Sequence, residues 1–120
     1  MKVFVTTQFE GMHRWKDAPE QVDFLRSYHR HMFHVRLEVE VVEEDREIEF
    51  ILLRRELVGL IETLFSGRKM DESCETIAKK IADFMTREKH MCYNRAVKCE
   101  VSEDGENGAV VQMTKEGVFL

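Results

Sequence analysis

Proline is nearly absent from this 120-residue chain, and no repeat, proline-rich linker or low-complexity block divides it. The single proline, Pro19, lies in the polar stretch RWKDAPEQVD, residues 14–23, where Asp, Pro and Gln interrupt both the helical and the strand periodicity. We therefore predict a loop in this stretch. A chain of this length and uniformity is expected to form one domain, residues 1–120, with one modest hydrophobic core.

Cysteines are few, and long apolar runs are missing. Cys74, Cys92 and Cys99 are an odd number and form no CxxC pair, which is more typical of a reducing compartment than of a disulfide framework. No apolar run approaches the roughly 20 residues that a membrane-spanning helix needs. The N-terminal segment alternates and then turns polar, unlike a signal peptide. These features predict a cytoplasmic protein that has no membrane partner.

The chain also lacks an excess of positive charge. Its 18 Lys and Arg residues stand against 23 Asp and Glu residues, which gives a formal net charge of −5. Proteins that bind a phosphate backbone need a basic face, so this balance argues against a nucleic-acid partner. Hydrophobic residues make up 43% and charged residues 34% of the chain, which is typical of a globular protein rather than a disordered one.

Alternation of apolar and other residues predicts four strands. The first strand runs from Val3 through Phe9 toward His13, and the second covers residues 33–41, with apolar residues on one face and charged residues on the other. The last two strands, residues 96–103 and 108–114, are joined by DGENG. The Asp-Gly and Asn-Gly pairs in that segment favour hairpin turns.

Two amphipathic helices are predicted between the second and third strands. Apolar residues recur at spacings of three and four in residues 48–65 and again in residues 73–89, where Ser73 is a good N-cap. The order strand, strand, helix, helix, strand, strand predicts an α+β fold. Its four strands should form one antiparallel sheet with both helices on one face. The other face would be left for a partner subunit or a ligand.

Three histidines lie near the ends of the first two strands. His29 and His31 are two residues apart, so they project from the same face of a strand that extends back to them. His13, at the end of the neighbouring strand, has the right parity to join them. Three neutral imidazoles suit zinc and leave its fourth tetrahedral position open for water or a substrate oxygen. The alternative is that these are solvated polar residues at strand ends.

Five short phrases stand in register along residues 3–113. They are FEGMHR at residues 9–14, HRHMFHV at 29–35, IEF at 48–50, ESCETIA at 72–78 and VKCE at 97–100. These phrases resemble five motifs of the 6-pyruvoyl-tetrahydropterin synthase and 6-carboxy-tetrahydropterin synthase family, which occur in the same order. The family motifs are F-x-A-A-H-R, H-G-H-N-Y-x-V, M-D-F, P-T-A-E-N-L-A and V-x-V-x-E. The resemblance implies the tunnelling fold, in which the sheets of several subunits close into a barrel.

The resemblance also implies a set of functional residues. Zinc would bind His13, His29 and His31, and Glu100 would hold the guanidine-like edge of a pterin or purine. A carboxylate suits this edge because it accepts two N–H bonds from an amino-pyrimidinone ring. Glu75 matches the glutamate of the fourth phrase and is a second candidate for substrate binding. The alternative is that neither residue binds a ligand. Glu100 is then a solvated acid on a strand, and Glu75 is an acid in the first turn of a helix, where the helix dipole favours it.

Three departures from the family pattern concern proton transfer. Leu25 stands where the family has a catalytic cysteine, an Asp-His pair between the helices is missing, and Arg30 replaces a glycine between two zinc ligands. The metal ligands and the ring anchor are thus retained while the proton-transfer residues are lost. Asp23, in the same loop as Leu25, is the nearest replacement base, and Glu20 and Tyr28 are weaker candidates.

Three functions are compatible with these residues. The first is a zinc-dependent, lyase-like enzyme that acts on a pterin, purine or deazapurine derivative, with chemistry altered from that of 6-carboxy-tetrahydropterin synthase. The second is a protein that binds such a ligand or a metal without turnover, where Arg30 would suit a phosphate-bearing ligand. The third is an oligomeric structural protein with incidental histidines. An exposed sheet face predicts a homo-oligomer. The resemblance implies that the sites lie at subunit interfaces of a barrel, where Glu100 would serve a neighbouring chain's zinc.

Overall fold

The computed structural model describes residues 1–120, which form an α+β fold with a mixed five-stranded sheet and three helices. The strands are β1 (Lys2–His13), β2 (His29–Glu40), β3 (Lys69–Met70), β4 (Val97–Glu103) and β5 (Asn107–Met113). The helices are α1 (Phe50–Leu64), α2 (Cys74–Met85) and a short 3-10 helix, Glu20–Arg26. None of them combines the length and apolar composition required to cross a bilayer.

The sheet has the strand order β3-β1-β2-β4-β5. Its four long strands pair antiparallel, as the alternation predicts, but the expected four-stranded, wholly antiparallel sheet is wrong. A fifth strand, β3, pairs in parallel with the end of β1 at Met12 and His13. This strand is only two residues long, so it carries no periodicity that a sequence pattern could reveal.

The polar stretch around Pro19, residues 14–23, is predicted to be a loop, but its last four residues begin the 3-10 helix Glu20–Arg26. Pro19 precedes the helix with an extended backbone (φ −66°, ψ 161°), and its carbonyl accepts the first helical bond from the Val22 N–H at 3.0 Å. Proline is tolerated at such a start because its missing N–H is not needed there. Val22 then departs from helical angles, which keeps the helix short and irregular.

One face of the sheet carries the hydrophobic core. The alternate residues Phe33, Val35, Leu37 and Val39 of β2 are buried there, as the period of two predicts. Both helices cover this face and contribute their own buried stripes, in which residues recur every four positions: Leu53, Leu57 and Ile61 from α1, and Ile77, Ile81 and Met85 from α2. The predicted amphipathic faces of both helices are therefore confirmed. Phe50 is also part of the apolar pattern of residues 48–65, but it is exposed at the start of α1.

The helix starts are capped by side chains. The Ser73 hydroxyl accepts a hydrogen bond from the Thr76 N–H at 3.2 Å, which confirms the predicted N-cap of α2. Glu49 performs the same role for α1 by accepting the Leu52 N–H at 2.8 Å. Only three residues, the last of them the Ser73 cap, separate β3 from α2, and the first turn of α2 lies beside the ends of β1 and β2, where the histidines are.

Two leucines of α1 test how much the buried stripe stabilises the fold. We expect Leu57→Ala to lower the free energy of unfolding by about 2–5 kcal/mol, because Leu57 is fully buried and its removal leaves a cavity. Leu52→Ala, the same change on the exposed side of the helix, should alter stability by no more than about 0.5 kcal/mol. Urea unfolding followed by circular dichroism measures both. Equal losses would contradict the observed helix orientation.

Candidate metal centre

His13, His29 and His31 meet at one end of the sheet, and we call them the histidine cluster. The antiparallel register of β1 and β2 sets His13 opposite His29, and His31 follows two residues later on the same face. Their ring centroids lie 4.6, 5.0 and 5.2 Å apart, and one nitrogen from each ring lies within 4.8 Å of the other two. The cluster therefore has the composition and spacing to hold a metal ion.

Each imidazole of the histidine cluster has an oxygen acceptor at its Nδ1. The Nδ1–O distances are 2.9 Å from His13 to the Glu72 carbonyl, 2.9 Å from His29 to the Ser27 carbonyl and 2.7 Å from His31 to the Asp104 carboxylate. Carbonyl and carboxylate oxygens only accept, so each Nδ1 donates its proton. In the neutral ring Nε2 then carries the free lone pair, which is the arrangement that metal-ligating histidines have.

Glu103, the last residue of β4, also contacts the histidine cluster. Its Oε1 lies 3.3 Å from His13 Nε2, and its Oε2 lies 3.2 Å from His31 Nε2. With the Nδ1 atoms protonated, a neutral ring would point its Nε2 lone pair at a carboxylate oxygen, which is repulsive. The contact is favourable only when a cation or a proton lies between the two atoms.

Asp104 fixes the position of His31 from the turn between β4 and β5. It has a left-handed backbone (φ 55°), which aspartate tolerates better than most residues. One carboxylate oxygen accepts the His31 Nδ1 proton, and the other accepts the Met32 N–H at 3.0 Å. These two hydrogen bonds, that of His31 first, lower the pKa of Asp104 below its ordinary value. Neither Glu103 nor Asp104 is a residue that the sequence analysis identified.

A cleft of about 380 Å³ opens beside the histidine cluster. It lies between the end of the sheet and the first turn of α2, and its wall combines apolar, basic and acidic side chains. Its lining residues are His13, Arg14, Trp15, Leu25, His29, Asp71, Glu72, Ser73, Cys74, Glu75 and Glu103. Two of its acids have cationic partners, since Asp71 pairs with Arg14 and Glu72 pairs with Lys80, both within 2.9 Å.

The other sequence candidates fall in different places. Glu75 lines the cleft, is exposed and makes no ion pair or side-chain hydrogen bond. Glu100 is exposed on the face opposite the helices, as its strand parity predicts, and it lies beside Thr6 and Arg36 rather than beside the histidine cluster of its own chain. Asp23, on the 3-10 helix, is exposed and does not line the cleft.

None of the remaining candidates, Glu20, Tyr28 and Arg30, lines the cleft. Glu20 begins the 3-10 helix and is exposed. Tyr28 lies beneath two cationic groups, the guanidinium of Arg14 at 4.6 Å from its ring centroid and the ammonium of Lys69 at 5.4 Å. Arg30 is exposed and pairs with Glu10 at 3.2 Å. Since Arg30 alternates with His29 and His31, it points away from the cleft.

Cys74 is the only thiol in the cleft, and it is buried there at the first position of α2. Burial, reinforced by the charges of Glu103 and Glu75, raises the pKa of the Cys74 thiol to about 12. Burial also raises the pKa values of Cys92 and Cys99 to about 12. All three thiols are thus protonated near neutral pH, so the metal-free site contains no thiolate nucleophile.

Thiol reactivity tests these pKa values. In native, metal-free protein at pH 8 we expect no cysteine to react within minutes with Ellman's reagent, because thiolate is the reactive form, and we expect all three to react in denaturant. The same shifts should lower the free energy of unfolding as the pH rises from the ordinary thiol range toward 12, where unfolded thiols ionise and folded ones do not. Rapid native labelling that disappears in Cys74→Ala would contradict the burial of Cys74.

Comparison with known proteins adds no family assignment to this site. No family model matches the chain, and no curated protein sequence matches it. The chemistry available to the site therefore follows from the histidine cluster, the neighbouring acids and the cleft.

Proposed function

We propose that the protein is a zinc-dependent, lyase-like enzyme of the tunnelling-fold type that acts on a pterin, purine or deazapurine derivative. The observation that carries this proposal is the histidine cluster, in which every Nδ1 is hydrogen-bonded to an oxygen. A hydrogen bond at Nδ1 alone does not mark a site, since His90 Nδ1 also lies 2.8 Å from a Glu56 carboxylate oxygen. What distinguishes the histidine cluster is that three such rings converge, with one nitrogen from each within 4.8 Å of the other two. The ββααββ order of the long elements, with both helices on one face, agrees with the resemblance to the tetrahydropterin synthases.

The donor set of the histidine cluster fits zinc. Three neutral imidazoles bind zinc at about 2.0–2.1 Å in catalytic sites, and oxygen acceptors at the far ring nitrogens fix the tautomers. Zinc bound there would supply Lewis-acid polarisation of a substrate oxygen. His13 is the only buried polar residue of the protein, with 7% of its surface exposed, so one ligand is already withdrawn from water.

The cleft has features that suit a planar heterocycle with N–H donors. Its volume of about 380 Å³ lies within the range of small-molecule sites, roughly 300–1,000 Å³. Trp15 lines it with half of its surface exposed and offers a face for stacking. Glu75 has an unpaired carboxylate, which can accept two N–H bonds from an amino-pyrimidinone edge. Within one chain Glu75 takes the anchoring role that the sequence analysis gave to Glu100.

Proton transfer must differ from that of the family, because Leu25 lines the cleft where the family has a thiol. Asp23 does not line it, and the Cys74 thiol is protonated, so Glu75 and Glu103 are the acids in a position to move a proton at a bound ligand. A carboxylate takes a proton on one oxygen and returns it from the same oxygen, which is the role of a general base and acid.

Binding without turnover is the second candidate, and Leu25 favours it. An alkyl side chain in the position of the catalytic group leaves the metal ligands and ring contacts intact while removing the acid–base residue. The protein would then hold a pterin- or guanine-like ligand, or a metal, as its whole function.

Assembly belongs to the same proposal. The sheet face opposite the helices is open and carries exposed Phe4 and Val110 together with the charged Glu100 and Arg36. Packing this face against other copies of the chain would cover its apolar residues. In such a homo-oligomer Glu100 would approach the cleft of a neighbouring chain, so that sites form at subunit interfaces.

Metal content is the first test. Protein purified without added metal should contain zinc near one equivalent per chain, and His29→Ala or His31→Ala should lose most of it, since two imidazoles hold zinc far more weakly than three. His34→Ala is the matched control, because His34 lies on the same strand but is exposed on the other face. Elemental analysis measures all four proteins. Equal zinc loss in His34→Ala would contradict the proposed site.

Ligand binding and turnover are the second test. Zinc-loaded protein should bind a pterin in calorimetric titration, and Glu75→Gln should weaken binding about tenfold or more because a charged acceptor is lost. Trp15→Ala should weaken it roughly 2–10-fold through lost stacking. Chromatography of the same mixtures then separates the two candidate functions, because an enzyme would convert the pterin into a product and a binding protein would leave it unchanged. Unchanged affinity in both variants would contradict this cleft as the ligand site.

A further inference from the structure

Glu103 is placed more firmly than a surface acid. β4 pairs with β2 so that Glu103 lies opposite Phe33, and the next residue, Asp104, donates its N–H to the Met32 carbonyl at 2.7 Å. The carboxylate of Asp104 accepts the Met32 N–H in return. The backbone on both sides of Glu103 is therefore fixed to β2, and its side chain is held against the Nε2 atoms of His13 and His31.

From this placement we propose that Glu103 is the fourth protein ligand of the metal, so that the resting centre is closed by His13, His29, His31 and Glu103. A substrate or inhibitor must then displace the carboxylate in order to reach the metal. This inference rests on the proposed function to the extent that a metal binds the histidine cluster. The inference goes further than the proposed function, because the sequence predicts that the fourth coordination position of the metal is open, whereas here a protein side chain occupies it.

The observed distances support a shared metal. Bonds of about 2.0–2.1 Å at tetrahedral angles separate neighbouring ligand atoms by about 3.3 Å. The two separations between Glu103 oxygens and histidine Nε2 atoms are 3.3 and 3.2 Å. An ordinary hydrogen bond between such groups would be shorter, about 2.7–2.9 Å when charged. The contacts thus have the length of ligand–ligand separations around a metal.

Hydrogen bonding and charge point in the same direction. The Nδ1 proton of His13 is committed to the Glu72 carbonyl and that of His31 to Asp104, so neither neutral ring has a proton left for Glu103. A divalent cation bound at the Nε2 atoms converts the repulsive contact into two metal bonds. Glu103 also supplies a negative charge to a site in which the three imidazoles supply none.

Displacement of Glu103 gives the carboxylate a second use. Glu103 lines the same cleft as Glu75, and a ligand oxygen that takes its place on the metal leaves a free carboxylate directly beside the ligand. The carboxylate would therefore weaken the binding of water and small anions at the metal, whereas a ligand with further contacts in the cleft would displace it more readily. The displaced Glu103 carboxylate, which was bound to the metal in the resting centre, would then lie beside that ligand.

Cobalt substitution tests the closed centre. Cobalt(II) is loaded in place of zinc, and azide is titrated while the visible d–d absorption is recorded. We expect Glu103→Gln to bind azide at least about tenfold more tightly than the wild type, because a carboxylate that occupies the metal some 90% of the time weakens a competitor by that factor. Glu106→Gln is the matched control, since it removes the same charge from an exposed position of the same hairpin.

The outcomes separate this inference from the proposed function. Equal azide affinity in fully loaded wild type and Glu103→Gln would overturn the closed centre and leave the zinc site standing. Failure of the wild type to bind cobalt or zinc at all would overturn both. If Glu103→Gln does not fold, a crystal structure of zinc-loaded wild type decides: an Oε atom at about 2.0–2.2 Å from zinc supports the inference, and a water in that position overturns it.

Discussion

The antiparallel register between β1 and β2 is the constraint on which both the core and the candidate metal centre depend. The strands pair continuously from Lys2 with Glu40 to His13 with His29. Because side chains alternate between faces, a slip of one residue would turn the apolar residues of β2 out of the core and move His29 and His31 to the open face. Burial of the apolar side chains therefore stabilises the same register that assembles the histidine cluster.

A second pairing, between β2 and β4, completes the site. It brings Glu103 and Asp104 to the end of β2 that carries His31, and the left-handed backbone of Asp104 lets the chain turn immediately after Glu103. The local strain of that conformation is offset by the two hydrogen bonds that its carboxylate accepts. The hairpin turn thus orients a histidine in addition to joining two strands.

Periodicity and parity predict much of this arrangement, but not the relations between distant segments. The four long strands, both helices, the Ser73 cap and the shared face of His29 and His31 follow from local patterns. Glu103 does not, because the acid that meets the histidines is selected by the β2–β4 register. Glu100 lies three residues earlier on β4, about 10 Å along the strand and on the other face. β3 and the 3-10 helix were missed because both are short and depend on contacts outside their own residues.

The distribution of charge decides which ligands the cleft can accept. Asp71 and Glu72 are neutralised by Arg14 and Lys80, whereas Glu75 and Glu103 have no Lys or Arg partner. Arg30, a residue that would suit a phosphate group, points away from the cleft and pairs with Glu10. A phosphate in the cleft would therefore meet two carboxylates at short range and with little screening, and only a metal bound at the histidine cluster, as proposed, would offset that repulsion. Under the proposed function, a neutral ring that presents N–H donors to Glu75 and one oxygen to a metal bound at the histidine cluster would satisfy the same charges without repulsion.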